Sequence, residues 1–126
     1  VEEMLRWSSP VIHFRRTATS DIELHGTRIG AGDKVVLWLI SGNFDERQFP
    51  EPLRFDIERK PNNHVTFGRG GPHFCLGAHL AKLETRVLFE ELLPRLGSIE
   101  QTAPARRIES NFTNAYKSMP VRVTGA

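Results

Sequence analysis

The sequence predicts an α+β fold in which short β-strands lie on both sides of one strong amphipathic helix. Two observations support this prediction. Leucine and valine recur at helical spacing over residues 78–93, with charged residues between them, until Pro94 and Gly97 end the pattern. The segments on either side contain short runs of β-branched residues separated by glycine, asparagine and proline turns. The chain has 126 residues, which is enough for one domain.

The elements before the strong helix follow from local patterns. Residues 1–7 read as a helix, which Ser8, Ser9 and Pro10 end. Strands are expected next, and we expect them to form one small sheet; they cover residues 11–16, 21–24, 27–29 and 35–40. The pair His25-Gly26 is expected to form the turn of a hairpin.

The remaining segments are less regular. Residues 41–66 contain three prolines and show no period, so we expect packed coil, anchored by Phe44, Phe49 and Phe55. Residues 99–123 are expected to form short strands separated by turns.

Composition and termini exclude several classes of protein. The longest apolar stretch, residues 35–40, is far shorter than the roughly 18 to 20 residues of a membrane span. No signal-peptide pattern is present, and a net charge of +2 gives no argument for binding nucleic acid. The single cysteine excludes an internal disulfide and fits a reducing cytoplasm. Because Val1 is not methionine and no capping residue precedes the first helix, we expect a chain that starts inside a longer protein.

The most informative segment is the glycine-rich loop over residues 67–77, with the sequence Phe-Gly-Arg-Gly-Gly-Pro-His-Phe-Cys-Leu-Gly. Glycine permits positive φ and close approach of the backbone to a ligand. A cysteine just before a helix lies near the positive end of the helix dipole, which favours the thiolate. A flat macrocycle could therefore lie against the loop, which would present Cys75 to its metal. For a lone cysteine the alternative is a small buried packing residue. The segment lacks the Gly-Lys-Ser/Thr of a phosphate-binding loop and the context of a dinucleotide site.

This segment resembles the haem-binding signature of cytochromes P-450, Phe-Gly-x-Gly-x-His-x-Cys-x-Gly. Counted back from the cysteine, His73 and Gly71 fall on its histidine and second glycine, while Phe67 lies one residue farther away than in the commonest form. The longer loop is similar to that of a bacterial branch that acts on sterols, terpenes and branched lipids. The resemblance implies that Cys75 is the catalytic iron ligand and that further loop residues bind the haem, namely Phe67, Gly68, Gly71, His73 and Gly77.

Three further segments resemble the family and occur in its order. Glu3 and Arg6 match its Glu-x-x-Arg pair, since positions i and i+3 share a helix face, although a solvated pair is the simpler alternative. The family adds an arginine from the coil, and Arg54 lies where it is expected, so the three would form a buried structural network. Arg16 resembles the arginine that pairs with a haem propionate. Arg15 is a competing candidate, but strand alternation sends it to the opposite face. His73 matches a second propionate partner.

The resemblance covers essentially the whole chain and implies the C-terminal part of the mainly α cytochrome P-450 fold. The implied order is the end of the K helix, a small sheet, the meander coil, the cysteine loop, the L helix and C-terminal β-hairpins. Residues 1–126 would then form the C-terminal portion of one domain whose N-terminal two-thirds is absent. The central helix with its acid–alcohol pair for oxygen activation would lie in the absent part.

The resemblance also implies the activity and the partners. The parent would hold haem b and would hydroxylate a hydrophobic small molecule with O2 and two electrons from NAD(P)H through redox partners. Its substrate side would be lined by Val11, Ile12, Phe112 and Thr113, for which ordinary core packing is the alternative. A ferredoxin-type donor would bind the basic face near Arg69, Lys82 and Arg86, unless that face is merely a solvated helix surface.

Two other functions remain open at this point. The chain could be a truncated, non-catalytic fragment that does not bind haem alone and that oligomerises through exposed apolar surface. The same cysteine loop would also serve a haem-thiolate isomerase or peroxygenase.

Overall fold

The computed structural model describes residues 1–126 and contains three α-helices and eight short strands. The helices are α1 (Glu2–Ser8), α2 (Leu39–Asn43) and α3 (Ala78–Leu92). The first four strands are β1 (His13–Thr17), β2 (Ile22–Leu24), β3 (Thr27–Ile29) and β4 (Lys34–Trp38). After α3 come a 3-10 turn (Leu93–Arg95) and the strands β5 (Leu96–Gln101), β6 (Arg106–Arg107), β7 (Tyr116–Ser118) and β8 (Val121–Gly125).

The strands pair as four separate antiparallel ladders, so the prediction of one small sheet before α3 was wrong. The ladder β1–β4 runs from the pair His13–Trp38 to the pair Thr17–Lys34, and β2–β3 forms its own hairpin. The two ladders are separated by a tight turn in which the Asp33 carboxylate accepts a hydrogen bond from the Gly30 amide. The Ala31 amide donates to Asp21 across the same turn. These bonds satisfy two backbone donors of the turn that separates the ladders.

The hairpin turn was predicted correctly. His25 and Gly26 both have positive φ, of 49° and 76°, which is the backbone conformation of the two-residue turns that match strand twist. The chain can therefore reverse between β2 and β3 without a longer loop.

The predicted strand over residues 35–40 ends two residues early, at Trp38. Leu39 and Ile40 instead begin α2, and Leu39 is buried. The Ile40 amide donates to the carbonyl of Ile12, and Asn43 at the end of α2 is completely buried. Tertiary contacts thus override the β-propensity of this apolar run.

The predicted helix after the cysteine loop is confirmed over residues 78–92. Pro94 lies in the following 3-10 turn, so its lack of an N–H removes no hydrogen bond from α3. The predicted short strands near the end of the chain are also present, as the ladders β5–β8 and β6–β7.

The surface of this chain is large for its mass. Its accessible area is 9749 Å², whereas a compact monomer of 14.3 kDa would expose about 6800 Å². Only three apolar residues are buried, and they are Leu39, Phe49 and Ala78. The other five buried residues are polar or charged, so the interior of the chain is mainly a hydrogen-bonded network. None of the helices has both the length and the hydropathy needed to cross a membrane.

Candidate functional site

The cysteine loop connects Thr66 to α3 and folds back on itself. The Cys75 amide donates to the carbonyl of Phe67 at 3.0 Å, which joins the two ends of the loop. Gly68, Gly70 and Gly71 have φ values of 78°, 65° and 74°, which glycine adopts without a steric penalty. The three glycines and this hydrogen bond therefore allow a tight loop just before the helix, with the cysteine at the end of the loop.

Cys75 is a free, exposed thiol at the edge of an open cleft. The cleft has a volume of about 810 Å³ and lies between the cysteine loop and the β1–β4 ladder. Gly77, two residues after the cysteine, adjoins the sulfur, since a Cβ atom built on it would lie 3.9 Å away. The thiol is exposed within this chain, so the alternative of a small buried packing residue does not describe Cys75 here.

Most of the predicted haem-binding residues meet at this cleft. Its lining includes Phe67, Gly68, Gly71, His73 and Arg16 together with Cys75. Gly77 does not line the cleft, although it adjoins the sulfur. The apolar side chains of the lining were mostly not predicted; they are Phe14, Leu37, Leu39 and Val65. Strand alternation could have indicated Phe14, which lies two residues before Arg16 and therefore on the same face.

Two cationic side chains of the cleft have no acidic partner in the chain. Arg16 donates only to the carbonyl of Arg15, at 3.0 Å, and its guanidinium lies 5.7 Å from the ring of Phe14. Arg69 also lines the cleft and forms no ion pair. Arg15 does not reach the cleft, as strand alternation predicted. The cleft can therefore offer unpaired donors to an anionic group.

The two segments predicted to line a substrate pocket contact each other. Val11 forms a β-bridge with Thr113, and the Ile12 amide donates to the carbonyl of Phe112 at 2.9 Å. Only Val11 among them lines the cleft. The ring of Phe112 instead lies 5.7 Å from that of Phe14, which does line it. Ile12, Phe112 and Thr113 therefore do not line the cleft, and Phe112 is connected to it through Phe14.

A buried ion pair joins Glu3 and Arg6 on α1, where the sequence predicted it. Two guanidinium nitrogens of Arg6 lie 2.7 Å from the two carboxylate oxygens of Glu3, and the side chains are 0% and 3% exposed. Arg6 also donates to the carbonyls of Asn43, Pro52 and Arg54. Burial would raise the pKa of Glu3, but hydrogen bonds from Arg6, the Asp56 amide and Arg59 lower it to about 2. The pair therefore stays ionised.

The prediction that Arg54 is the third member of this network was wrong. Its side chain is 64% exposed and pairs with Glu51, three residues earlier, at 3.3 Å. Only its carbonyl enters the network, because the coil turns there and directs the side chain to solvent. Arg59 takes the place instead, with 8% of its side chain exposed and its Nε atom 3.3 Å from Glu3. It also donates to three carbonyls of the coil, those of Pro50, Glu51 and Arg54.

This difference predicts unequal effects for two arginines of the same coil. Arg59→Ala is expected to lower the free energy of unfolding by about 2 to 3 kcal/mol, since it leaves a buried carboxylate and several carbonyls short of donors. Arg54→Ala is expected to cost less than about 1 kcal/mol, as is usual for an exposed pair. Urea unfolding of the two variants measures both. Equal effects would contradict the assignment of Arg59.

Asn43 is the buried residue that connects this network to the cysteine loop, and no sequence pattern indicated it. Its side-chain oxygen accepts from the Val65 amide at 2.7 Å, and its side-chain nitrogen donates to Ser9 and Thr66 at 2.9 Å. Thr66 in turn donates to the carbonyl of Leu5. The residues just before Phe67 are thus fixed to both α1 and α2.

The predicted basic face is only partly free. Lys82 lies 2.9 Å from Glu2 of α1 and is therefore paired, whereas Arg69 and Arg86 form no ion pair. The cationic surface available to a partner is consequently smaller than the sequence predicted.

Comparison with known proteins agrees with this geometry. The family model described as "Cytochrome P450" matches residues 1–117. The chain belongs to the cytochrome P450 family. It is 51% identical over 121 residues to a methyl-branched lipid omega-hydroxylase of Mycobacterium tuberculosis, covering 96% of this chain and 28% of that protein. It is 48% identical over 126 residues to a steroid C26-monooxygenase of Mycolicibacterium smegmatis, covering 98% and 31%.

A solved structure is similar as well. The Mycobacterium marinum cytochrome P450 CYP268A2 in complex with pseudoionone superposes with a TM-score of 0.90 at 51% identity, over 95% of this chain and 29% of that one. The chain thus has part of the cytochrome P450 fold, as predicted, and spans about three-tenths of the length of these relatives.

The cleft fits the haem that this family implies. A haem is a flat apolar macrocycle with two carboxylates and an iron that takes soft axial ligands, thiolate among them. The cleft provides one accessible thiol, an apolar wall and unpaired cationic donors. A Cβ atom built on Gly70 or Gly71 would meet no atom within 4 Å, so the loop presents bare backbone to open space.

Proposed function

We propose that this chain is the cysteine-ligand part of a haem-thiolate monooxygenase that hydroxylates a hydrophobic small molecule such as a sterol, terpene or branched lipid. The observation that carries the proposal is the position of Cys75, a free exposed thiol in a cleft with an apolar wall and unpaired cations.

The residues of the cleft would divide the work of holding haem b. Cys75 would be the iron ligand, and Phe67, Gly68, Gly71 and Gly77 would form the loop surface that contacts the haem. Arg16 and His73 would bind the propionates, since charge-assisted bonds from unpaired donors suit carboxylates. When bound, a thiolate-ligated haem supplies the activation of O2 for insertion into a C–H bond. The protein would position the substrate and exclude water through the apolar wall of the cleft.

The substrate class is proposed from the wall and from the relatives together. The side chains of the wall are aliphatic and aromatic, with Val11 and Phe14 on the strand side of the cleft. Ile12, Phe112 and Thr113 would complete this side behind them. The names of the similar proteins refer to a methyl-branched lipid, a steroid and pseudoionone. A bulky apolar molecule suits both.

Electrons would come from NAD(P)H through a ferredoxin-type donor that binds near Arg69 and Arg86, with Lys82 contributing after release from Glu2. We place the reaction in the cytoplasm, because a sequence with a single cysteine fits a reducing compartment. The large exposed apolar surface supports a longer parent, in which other segments cover α3 and the open cleft. Without them, we expect the 126 residues to hold haem poorly and to oligomerise.

Isotopic labelling tests this function. The full-length protein, supplied with ferredoxin, its reductase and NAD(P)H, is incubated under heavy-oxygen dioxygen with a methyl-branched fatty acid, a terpenoid ketone and a steroid. A hydroxylated product that carries one labelled oxygen atom is expected from at least one of them. Oxygen incorporation only from peroxide would indicate a peroxygenase instead, and a rearranged product without added oxygen would indicate an isomerase.

A further inference from the structure

We propose that His64 is a positioning residue for the cysteine loop and that it holds the loop only while its ring is neutral. The proposal deepens the proposed function, because the loop matters for haem only if Cys75 is the ligand. Neither the sequence motif nor the cleft includes His64.

Hydrogen bonds define the state of the ring. The backbone amide of Thr66 donates to Nδ1 at 3.3 Å, so Nδ1 must be an acceptor and the ring hydrogen must lie on Nε2. Nε2 lies 2.9 Å from a carboxylate oxygen of Glu2 and donates to it. The side chain is only 4% exposed. The structure therefore fits a neutral histidine of one tautomer, bonded at both nitrogens.

These bonds connect α1 to the start of the cysteine loop. His64 lies three residues before Phe67, and the two rings are 6.1 Å apart. The carbonyl of Phe67 accepts from the amide of Cys75, so a displacement of Phe67 would be passed directly to the cysteine. Lys82 of α3 binds the same Glu2 carboxylate at 2.9 Å, which closes the arrangement on the helix that follows Cys75.

Protonation would break the arrangement. A proton on Nδ1 would face the Thr66 N–H, and two donors cannot bond each other, so the ring or the backbone would have to turn. The charged groups that face the ring are Glu2, which favours the cation, and Lys82 and Arg6, which oppose it. A polar cavity of about 260 Å³, lined by Glu2, His64, Phe67 and Lys82 among others, gives water a route to the ring.

The direction of the effect follows from burial. Desolvation is the largest influence and lowers the pKa of His64 from its ordinary value, despite the carboxylate of Glu2. The His64 ring therefore binds a proton less readily in the closed loop than in an opened loop. As a result the closed loop is fully favoured above about pH 6.5 and loses stability as pH falls below that value.

Hydrogen exchange of the backbone amides in residues 64–77, followed by mass spectrometry on the full-length protein, measures loop opening directly. His64→Gln keeps a side-chain N–H toward Glu2 and does not titrate, whereas His64→Phe keeps a ring and removes both bonds. His25→Asn is the control, since it removes an exposed histidine at a positive φ that asparagine tolerates. Comparison of proteins at one pH cancels the intrinsic pH dependence of exchange.

At about pH 5.5 the wild-type loop and the His25→Asn loop are expected to exchange at least about threefold faster than the His64→Gln loop, and at about pH 7.5 the three should agree. The His64→Phe loop should exchange faster at both values. A His64→Gln loop that matches the wild type at both pH values would overturn the proposal. The same exchange measurement is made with and without haem. A failure to bind haem would therefore count against the proposed function and not against the role of His64.

Discussion

Replacement of Cys75 with serine is expected to abolish hydroxylation by the full-length protein while the fold persists. Serine has nearly the same shape as cysteine but does not provide the soft, strongly donating thiolate. Loss of even an outer-shell partner of a metal ligand typically costs about 10- to 100-fold, so loss of the ligand should reduce the turnover rate by more than about 100-fold.

The fold should persist because the cysteine contributes to the loop mainly through its backbone. Its amide donates to Phe67 and its carbonyl accepts from Ala78, and both bonds remain in the serine variant. Thermal unfolding of the haem-free protein is expected to change by no more than about 2 °C. A serine variant that still hydroxylates substrate at a comparable rate would show that Cys75 is not the ligand.

The second large effect is expected from Arg6→Met, which should lower the free energy of unfolding by about 3 to 5 kcal/mol. Arg6 is fully buried and bonds both oxygens of Glu3 and three carbonyls. Methionine leaves Glu3 as a buried carboxylate supported mainly by Arg59 and removes the contacts of the guanidinium with the rings of Phe44 and Phe49. Urea unfolding of the full-length protein measures the loss.

An exposed ion pair of this chain provides a matched control. Arg28 lies 2.7 Å from Asp21, the same distance as in the buried pair, but the two side chains are 81% and 56% exposed. Arg28→Met is therefore expected to cost less than about 1 kcal/mol. Similar losses for Arg6→Met and Arg28→Met would mean that the buried network does not hold α1 to the coil.

The sequence predicted the elements that have strong local signals. The helix over residues 78–92 has a clear apolar period and ends before a proline, and the hairpin at His25-Gly26 has the turn residues that the conformation requires. The end of the run over residues 35–40 was wrongly predicted as strand. Leu39 and Ile40 are helical because the Ile40 amide donates to Ile12 and because Asn43, at the end of the same helix, is buried. A local pattern does not contain such contacts.

The same distinction applies to the site. Cys75 and its glycines follow from a motif whose members are adjacent in the chain, and the structure brings Arg16 to the same cleft. Arg54 was a wrong choice because arginines are frequent in the coil, and only the path of the backbone decides that Arg59 turns inward. Asn43 could not be found, because its four hydrogen bonds join segments that are far apart in the sequence.

The most direct test of the account is the absorption spectrum of the full-length, haem-loaded protein after reduction with dithionite and addition of carbon monoxide. We expect the strongly red-shifted Soret band that thiolate ligation gives, and we expect Cys75→Ser to lose it. A bound haem whose carbon monoxide complex absorbs at the unshifted position in the wild-type protein would contradict the assignment of Cys75 as the iron ligand.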